Sequence, residues 1–253
     1  MLGARVWTRL VSFAALSFAL LQGAPAWAAS FEVNPVRVAL SSTTSSGLIA
    51  VHNLSTEPLR FQAVAYAWTQ GPAGDMQLAP TDDVVVFPTM FTIKPGELRN
   101  MRIGTVTQPT ATEKTYRVFV DELPPLQTQL TSTTIRVLTR MAIPVFVGLP
   151  TSKPVPRVDG LSVQQGKLAF ALRNLGSAFF MARHVRVAGL ATDGSTVFTH
   201  DLPAWYVLAG GLRAYDDALP DGACSAVRLT VDVETETTAV HSSVALSPGA
   251  CAR

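Results

Sequence analysis

The segment TTIRVLTRMAIPVFVGLP, from Thr133 to Pro150, sets Arg136 and Arg140 among apolar residues at every second position, Ile135, Val137 and Met141. A period of two is the side-chain repeat of a β-strand. On an unbroken strand Ile135, Val137, Thr139 and Met141 share one face, and Arg136, Leu138 and Arg140 share the other. A guanidinium offers planar, forked N–H donors that match a carboxylate. The plainer alternative is a strand with one face in a core and its arginines in water.

Other chemistry finds little footing. His52, His184, His200 and His241 form no metalloprotease pattern, no G-x-S-x-G elbow is present, and no glycine-rich phosphate loop follows a strand. Ala209-Gly210-Gly211 reads as a turn. Asn53-Leu54-Ser55 matches a glycosylation sequon but also a common strand-end turn. The acid pairs Asp82-Asp83 and Asp216-Asp217 read as solvated loop residues. No nucleophile, base and orienting group assemble, so no enzyme, no cofactor and no metal are expected.

The chain opens with MLGARVWTRLVSFAALSFALLQGAPAWAAS. Arg5 and Arg9 precede an apolar run from Leu10 to Leu21, and Ala26-Trp27-Ala28 supplies the small residues of a cleavage site. This pattern predicts a secretory signal peptide over residues 1–28; a membrane anchor is the alternative, and the run is short for one. The full chain carries 20 basic and 18 acidic residues, and removing Arg5 and Arg9 leaves a formal charge of zero. Net charge therefore gives no support to nucleic-acid binding, and no membrane insertion of the mature chain is expected. Cys224 and Cys251 are the only cysteines. In an exported chain such a pair reads as one disulfide, the alternative being two buried thiols.

The mature length suits two domains, and the proline-rich GLPTSKPVPRVDG, Gly148 to Gly160, marks the break between 29–150 and 151–253. Both halves are runs of short β-type segments separated by turn residues. FEVNPVRVAL, SGLIAVHNLS, LRFQAVAYAWTQ, VVVFPTMFTI, RNMRIGTV and KTYRVFVDEL precede the opening segment; GKLAFALRNLG, ARHVRVAGLATDG, STVFTHDLP and CSAVRLTVDVE follow it. The expected fold is all-β, with two immunoglobulin-like sandwiches.

The order of several segments resembles the periplasmic pilus (fimbrial) chaperones, the PapD-like family. FEVNPVRVALSS is similar to the family's first strand, and IAVHNLSTEPLRFQAVAYAW to its second and third. FTIKPGELRNMRI resembles its P-G turn and following strand; YRVFVDELPP, the most specific, is close to its aromatic-rich strand ending in E-[IL]-P-P. TRMAIPVFVGLP closes the domain, and FALRNLGSAFFMARHVRV fits the second domain more loosely.

The resemblance implies two sandwiches in a boomerang around a cleft, in the periplasm, with pilus subunits and an outer-membrane usher as partners. A subunit lacks one strand of its own sandwich, and the chaperone lends the last long strand of its first domain. Ile135, Val137, Thr139 and Met141 are the residues expected to enter the client's groove. In the family two basic residues in the cleft grip the client's C-terminal carboxylate. Arg37 matches the first, but Pro144 stands where the second, a lysine, belongs. Arg117 and Arg140 are the candidates to replace it, with Arg102 in reserve. The Pro144 departure is similar to the divergent archaic or spore-coat-like branch. Two rivals stand: a secreted two-domain β-sandwich adhesin or pilus component, and an exported hydrolase on a sandwich scaffold.

Overall fold

A computed structural model describes residues 31–126, 137–247 and 250. The predicted leader, Ile135, Arg136 and Cys251 lie outside these residues. Eighteen strands and one 3-10 turn, Ala223–Ser225, make up the regular structure described.

In the first half, β1 (Phe31–Asn34), β3 (Ser46–Asn53), β8 (Leu98–Thr105) and β6 (Val84–Phe87) form one sheet in that order. The facing sheet runs β2 (Val38–Leu40), β10 (Arg140–Val147), β9 (Lys114–Leu123), β4 (Leu59–Gln70) and β5 (Met76–Pro80), with β7 (Met90–Ile93) also paired to β4. The chain crosses between sheets at the cis Asn34–Pro35 bond, between β1 and β2. The period of two then sorts the side chains. Phe61 and Ala63 of β4, Tyr116, Val118 and Val120 of β9, and Ile143, Val145 and Val147 of β10 point into the core, against Ile49, Val51, Met101 and Ile103 of the opposite sheet. Burying branched and aromatic side chains of this size stabilises by about 1.5–3 kcal/mol each.

The second half repeats the architecture. β11 (Pro156–Gln164), β12 (Lys167–Asn174) and β16 (Leu212–Ala218) form one sheet. β14 (Thr196–Leu202), β13 (Phe180–Leu190), β17 (Arg228–Thr235) and β18 (Ala239–Ala245) form the other, and β15 (Tyr206–Val207) pairs with β13. Among the described residues, strands up to Val147 pair only with one another, as do those from Pro156 onward.

The opening segment differs from the expected long strand. Its strand is β10, which begins only at Arg140 and runs through Pro144 to Val147. Val137 and Thr139 precede it, Val137 being 82% exposed. Thr139 is tied at both backbone groups to Glu122, whose N–H donates to the Thr139 carbonyl at 2.9 Å and whose carboxylate accepts its N–H at 3.3 Å. Pro144 is accommodated because β10 has β9 along its whole length, whereas β2 joins its outer side only from Val145. A proline lacks a ladder donor and so suits a stretch with one neighbour.

Each sandwich is also pinned by a fully buried asparagine. Asn53 donates to the carbonyls of Glu57 and Ile93 at 2.8 and 3.0 Å and accepts from the Ser55 N–H and hydroxyl. Asn174 does the same in the second sandwich, donating to Ala178 and Val207 and accepting from Gly176 and Val155. The sequon is thus a structural turn whose side-chain nitrogen is inside. Removing such a side chain leaves several buried groups unpaired. Asn53→Ala is expected to lower unfolding free energy by about 2–4 kcal/mol, read from urea denaturation; a loss within about 0.5 kcal/mol would show that water replaces these bonds.

Candidate functional site

The alternation that buries one face of the second sheet leaves the other for the opposite sandwich. Arg117 on β9 lies across from Pro144 on β10 and Tyr66 on β4. That face therefore carries Tyr66, Trp68 and Gln70 from β4, Thr115, Arg117 and Phe119 from β9, and Arg140, Ala142, Pro144 and Phe146 from β10. Trp68 and Phe146 are nearly inaccessible, because Leu208, Tyr206 and Phe179 of the second half pack on them. Phe146 and Phe179 stack with ring centroids 3.6 Å apart, and Tyr206 meets Trp68 edge to face at 5.6 Å.

Polar contacts fix this aromatic floor. Gln70 donates to the Tyr206 carbonyl at 2.9 Å and accepts the Leu208 N–H at 2.8 Å. The Ala214 N–H donates to the Ala73 carbonyl at 3.0 Å. Gly74, at φ +92°, faces the Leu212 carbonyl and Arg213 Cα so closely that a Cβ would collide with both. Glu113 spans the joint twice: its N–H donates to the Ser177 carbonyl at 2.9 Å, and its carboxylate accepts the Phe179 N–H at 3.0 Å.

Arg117 lies in the middle of the floor and is only 4% exposed. Its guanidinium is 4.0 Å from the centre of the Trp68 ring and 5.5 Å from those of Trp205 and Tyr206. Nη1 donates to the Ala142 carbonyl at 3.3 Å, while Nε and Nη2 are buried with no hydrogen-bond partner. A desolvated cation over a tryptophan face gains about 2 kcal/mol, which offsets only part of the desolvation. Burial accordingly lowers the Arg117 pKa, against a smaller opposing effect of Tyr206.

The other arginines are placed differently. Arg37 lies between β1 and β2, and its Nη1 donates to Glu236 of the β17–β18 turn at 2.8 Å, across the joint. That bond is the main cause of its raised pKa, with Tyr206 contributing less. Its guanidinium also sits over the Phe179 ring at 5.5 Å. Arg140 shares the face of Arg117 but lies at the outer end of β10, where Asp121 directly across the ladder takes its Nε and Nη2 at 2.6 and 2.8 Å. Arg102 is on β8, in the other sheet, exposed and bonded to the Ser46 hydroxyl. The structure thus brings Arg37 and Arg117 to one floor around Tyr206, and leaves Arg140 and Arg102 away from it. Met141 packs partly buried against the first core. Sequence reasoning missed Tyr206, Trp205, Phe179 and Glu236, which come from the other half of the chain and share no local pattern with the arginines.

No group of metal-ligating side chains occurs among the described residues. Cys224 sits in the 3-10 turn. Asp83, expected to be solvated, accepts the Tyr116 hydroxyl at 2.7 Å, and Asp217 meets His200 at 3.0 Å.

Residues 30–152 match the family model "Pili and flagellar-assembly chaperone, PapD N-terminal domain". No curated protein matches the sequence. Among solved structures, one match is a chain of the CsuC–CsuE chaperone–tip adhesion subunit pre-assembly complex of archaic Csu pili from Acinetobacter baumannii. It is 17% identical with a TM-score of 0.61, covering 84% of this chain and 98% of that one. The Salmonella enterica SafA pilin–SafB chaperone complex matches at 15% identity and a TM-score of 0.57, over 86% and 98%. The CupB2 chaperone of Pseudomonas aeruginosa matches at 15% and 0.55, over 85% and 100%. The fold of the chain is that of these two-domain pilus chaperones, and residues 30–152 match the PapD N-terminal domain family.

Glu113 makes the joint sensitive to pH. Burial raises its pKa from 4.5 to about 7, against the Phe179 N–H and the charge of Arg37, which lower it. The folded state then binds more protons than the unfolded one between these values, so this group's contribution is full below about 4.5 and is lost as pH rises through about 7. Glu113→Gln keeps the acceptor and removes the charge. Its stability relative to the parent is expected to rise between pH 5 and about 8 in paired thermal melts; a pH-independent difference would place the Glu113 pKa outside that window.

Proposed function

We propose that the protein is a periplasmic chaperone for pilus-type subunits. It lends the outer edge of β10 and the residues before it to a client sandwich that lacks a strand. The client's C-terminal carboxylate is received at the arginine floor between the two halves, and the loaded subunit passes to an outer-membrane usher. The observation that carries this reading is a buried cation with two unused donors, Arg117, beside the stretch of β10 that has no outer neighbour among the described residues.

The physical logic is general. Main-chain bonds along an open edge give affinity that does not depend on the client's sequence, and alternate side chains select apolar pockets. Covering an unfinished sheet removes an aggregation-prone edge. Ile135, Val137 and Thr139 are the residues proposed to enter the client, Val137 being already in solvent. Met141 is the exception to the expected lending set, since it turns toward the chaperone's own core. Removal of residues 1–28 on export, a first domain over 29–150, a second over 151–253 and a Cys224–Cys251 disulfide complete the proposal. The Pro144 substitution and the likeness to the archaic Csu chaperone fold support a place in that divergent branch.

Co-expression of the tagged chain with small exported β-proteins encoded beside it, followed by intact-complex mass spectrometry, tests the reading. A one-to-one complex with a subunit that is degraded when expressed alone is expected. Val137→Glu, at an exposed position, is expected to cut recovery of that subunit at least tenfold without changing the melting temperature. Recovery of the chain on the cell surface or in fibres, without a partner, would instead identify an adhesin or a pilus component.

A further inference from the structure

We propose that two copies of this chain associate through the outer face of the larger sheet of the second sandwich, about a two-fold axis running along the strands between β13 and β17. Neither the lending strand nor the arginine floor takes part, so the pairing does not depend on the chaperone reading.

Alternation puts Val185 and Val187 of β13, and Leu229, Val231 and Val233 of β17, in the second core, so the residues between them face outward. The ladder sets these outward residues in rows across the four strands. Asp201 of β14 lies opposite Arg186 of β13, Arg186 opposite Asp232 of β17, and Asp232 opposite His241 of β18. With His241 protonated, the charges along this row run minus, plus, minus, plus. In the next row His184 lies opposite Glu234. On the other side Thr199, Ala188, Thr230 and Ser243 make a row of small, uncharged side chains. His184, Arg186, Asp232 and Glu234 line a hollow of about 260 Å³ between the two inner strands.

The charged row is its own complement when reversed. A two-fold axis along the strands lays β13 of one copy on β17 of the other, and β14 on β18. It sets Arg186 against Asp232 of the second copy, Asp201 against its His241, and His184 against its Glu234. The small residues meet one another, which lets two sheets stack as the layers of a sandwich do. The other two-fold axis in the plane, along the row, would oppose Asp201, Arg186 and Asp232 each to its own copy. Like charges face to face weaken an interface, so the order of charges selects one axis.

Pairing inside the chain does not exhaust these groups. Arg186 gives Nε and Nη2 to Asp201 at 2.7 and 3.2 Å, and one Asp232 oxygen meets His241 Nδ1 at 2.7 Å. Nη1 of Arg186 and the second oxygen of Asp232 remain for the facing copy. All four side chains of the row are more than half exposed. Exposed ion pairs are individually weak, so the dimer is reversible and governed by salt.

Sedimentation velocity of residues 29–253 tests the pairing. The parent is expected to dimerise at about 100 µM chain in low salt, and its association constant to fall at least about tenfold at about 0.5 M salt. Arg186→Asp makes both central contacts negative, and Asp232→Arg makes both positive. Each variant alone is expected to associate at least about tenfold more weakly than the parent. An equimolar mixture of the two is expected to recover the parent's association within about threefold, because opposite charges then meet at both contacts. A role confined to one chain cannot produce that recovery. A mixture of folded variants that stays monomeric would overturn the proposal. So would single variants that associate as the parent does, the result expected of a dimer formed through the open edge of β10. A monomeric parent, or a parent dimer indifferent to salt, would overturn it without any variant, so the test holds even if a substitution prevents folding.

Discussion

A single buried cation organises the joint. Arg117 projects from the sheet of the first sandwich into a space closed by the second, against Trp68, Trp205 and Tyr206. Taking a guanidinium out of water is costly, and no carboxylate is bonded to it. The surroundings reduce that cost without ending it: one carbonyl, one tryptophan face and two further rings. A fold that only needed stability would place an apolar side chain there. A site that waits for an anion needs a preformed, dehydrated fork, because donors already desolvated and oriented bind without further reorganisation.

The aromatic cluster has two tasks for this reason. Phe146, Phe179, Trp68, Tyr206 and Leu208 hold the sandwiches together as a small third core. They also form the low-dielectric floor in which a charge pair gains strength. The polar ties around them, Gln70 to the Tyr206–Leu208 backbone, Glu113 to Phe179 and Arg37 to Glu236, keep this floor at one geometry. Of these, Glu113 is the one whose charge is opposed by its own surroundings. The joint is therefore tied by groups of unequal cost, and the Glu113 tie is the one whose contribution to stability falls as pH rises through about 7.

The edge of β10 belongs to the same arrangement. Pro144 interrupts the outer donor row just before β2 takes over at Val145. The strand is thereby divided into a closed end, locked into its own sheet, and an open end that starts beside Ala142, the residue that holds Arg117. Thr139 is bonded twice to Glu122, and Val137 just before it is 82% exposed. An edge unpaired among the described residues and a buried cation with two unpartnered donors are thus neighbours.

Much of this was legible in the sequence. The period of two, the turn residues and the proline-rich break identify two β-sandwiches, because strand burial depends on alternation that any window of the chain displays. The arginines stand out because they interrupt apolar strands, and the missing lysine at Pro144 leaves Arg140 on the same strand and Arg117 on its neighbour as candidate substitutes, with Arg102 in reserve. Alternation continues upstream through Val137, but a strand needs a ladder partner as well as a pattern, and among the described residues β10 pairs with β9 only from Arg140. Which arginine is buried and unpaired was beyond the sequence. That depends on Asp121 lying across from Arg140, on Glu236 reaching Arg37 from the second sandwich, and on Trp205 and Tyr206 covering Arg117. Side-chain alternation is a local property, set by neighbouring residues. Desolvation and pairing of a charge are set by whatever the rest of the chain brings against it, and only the tertiary structure decides that.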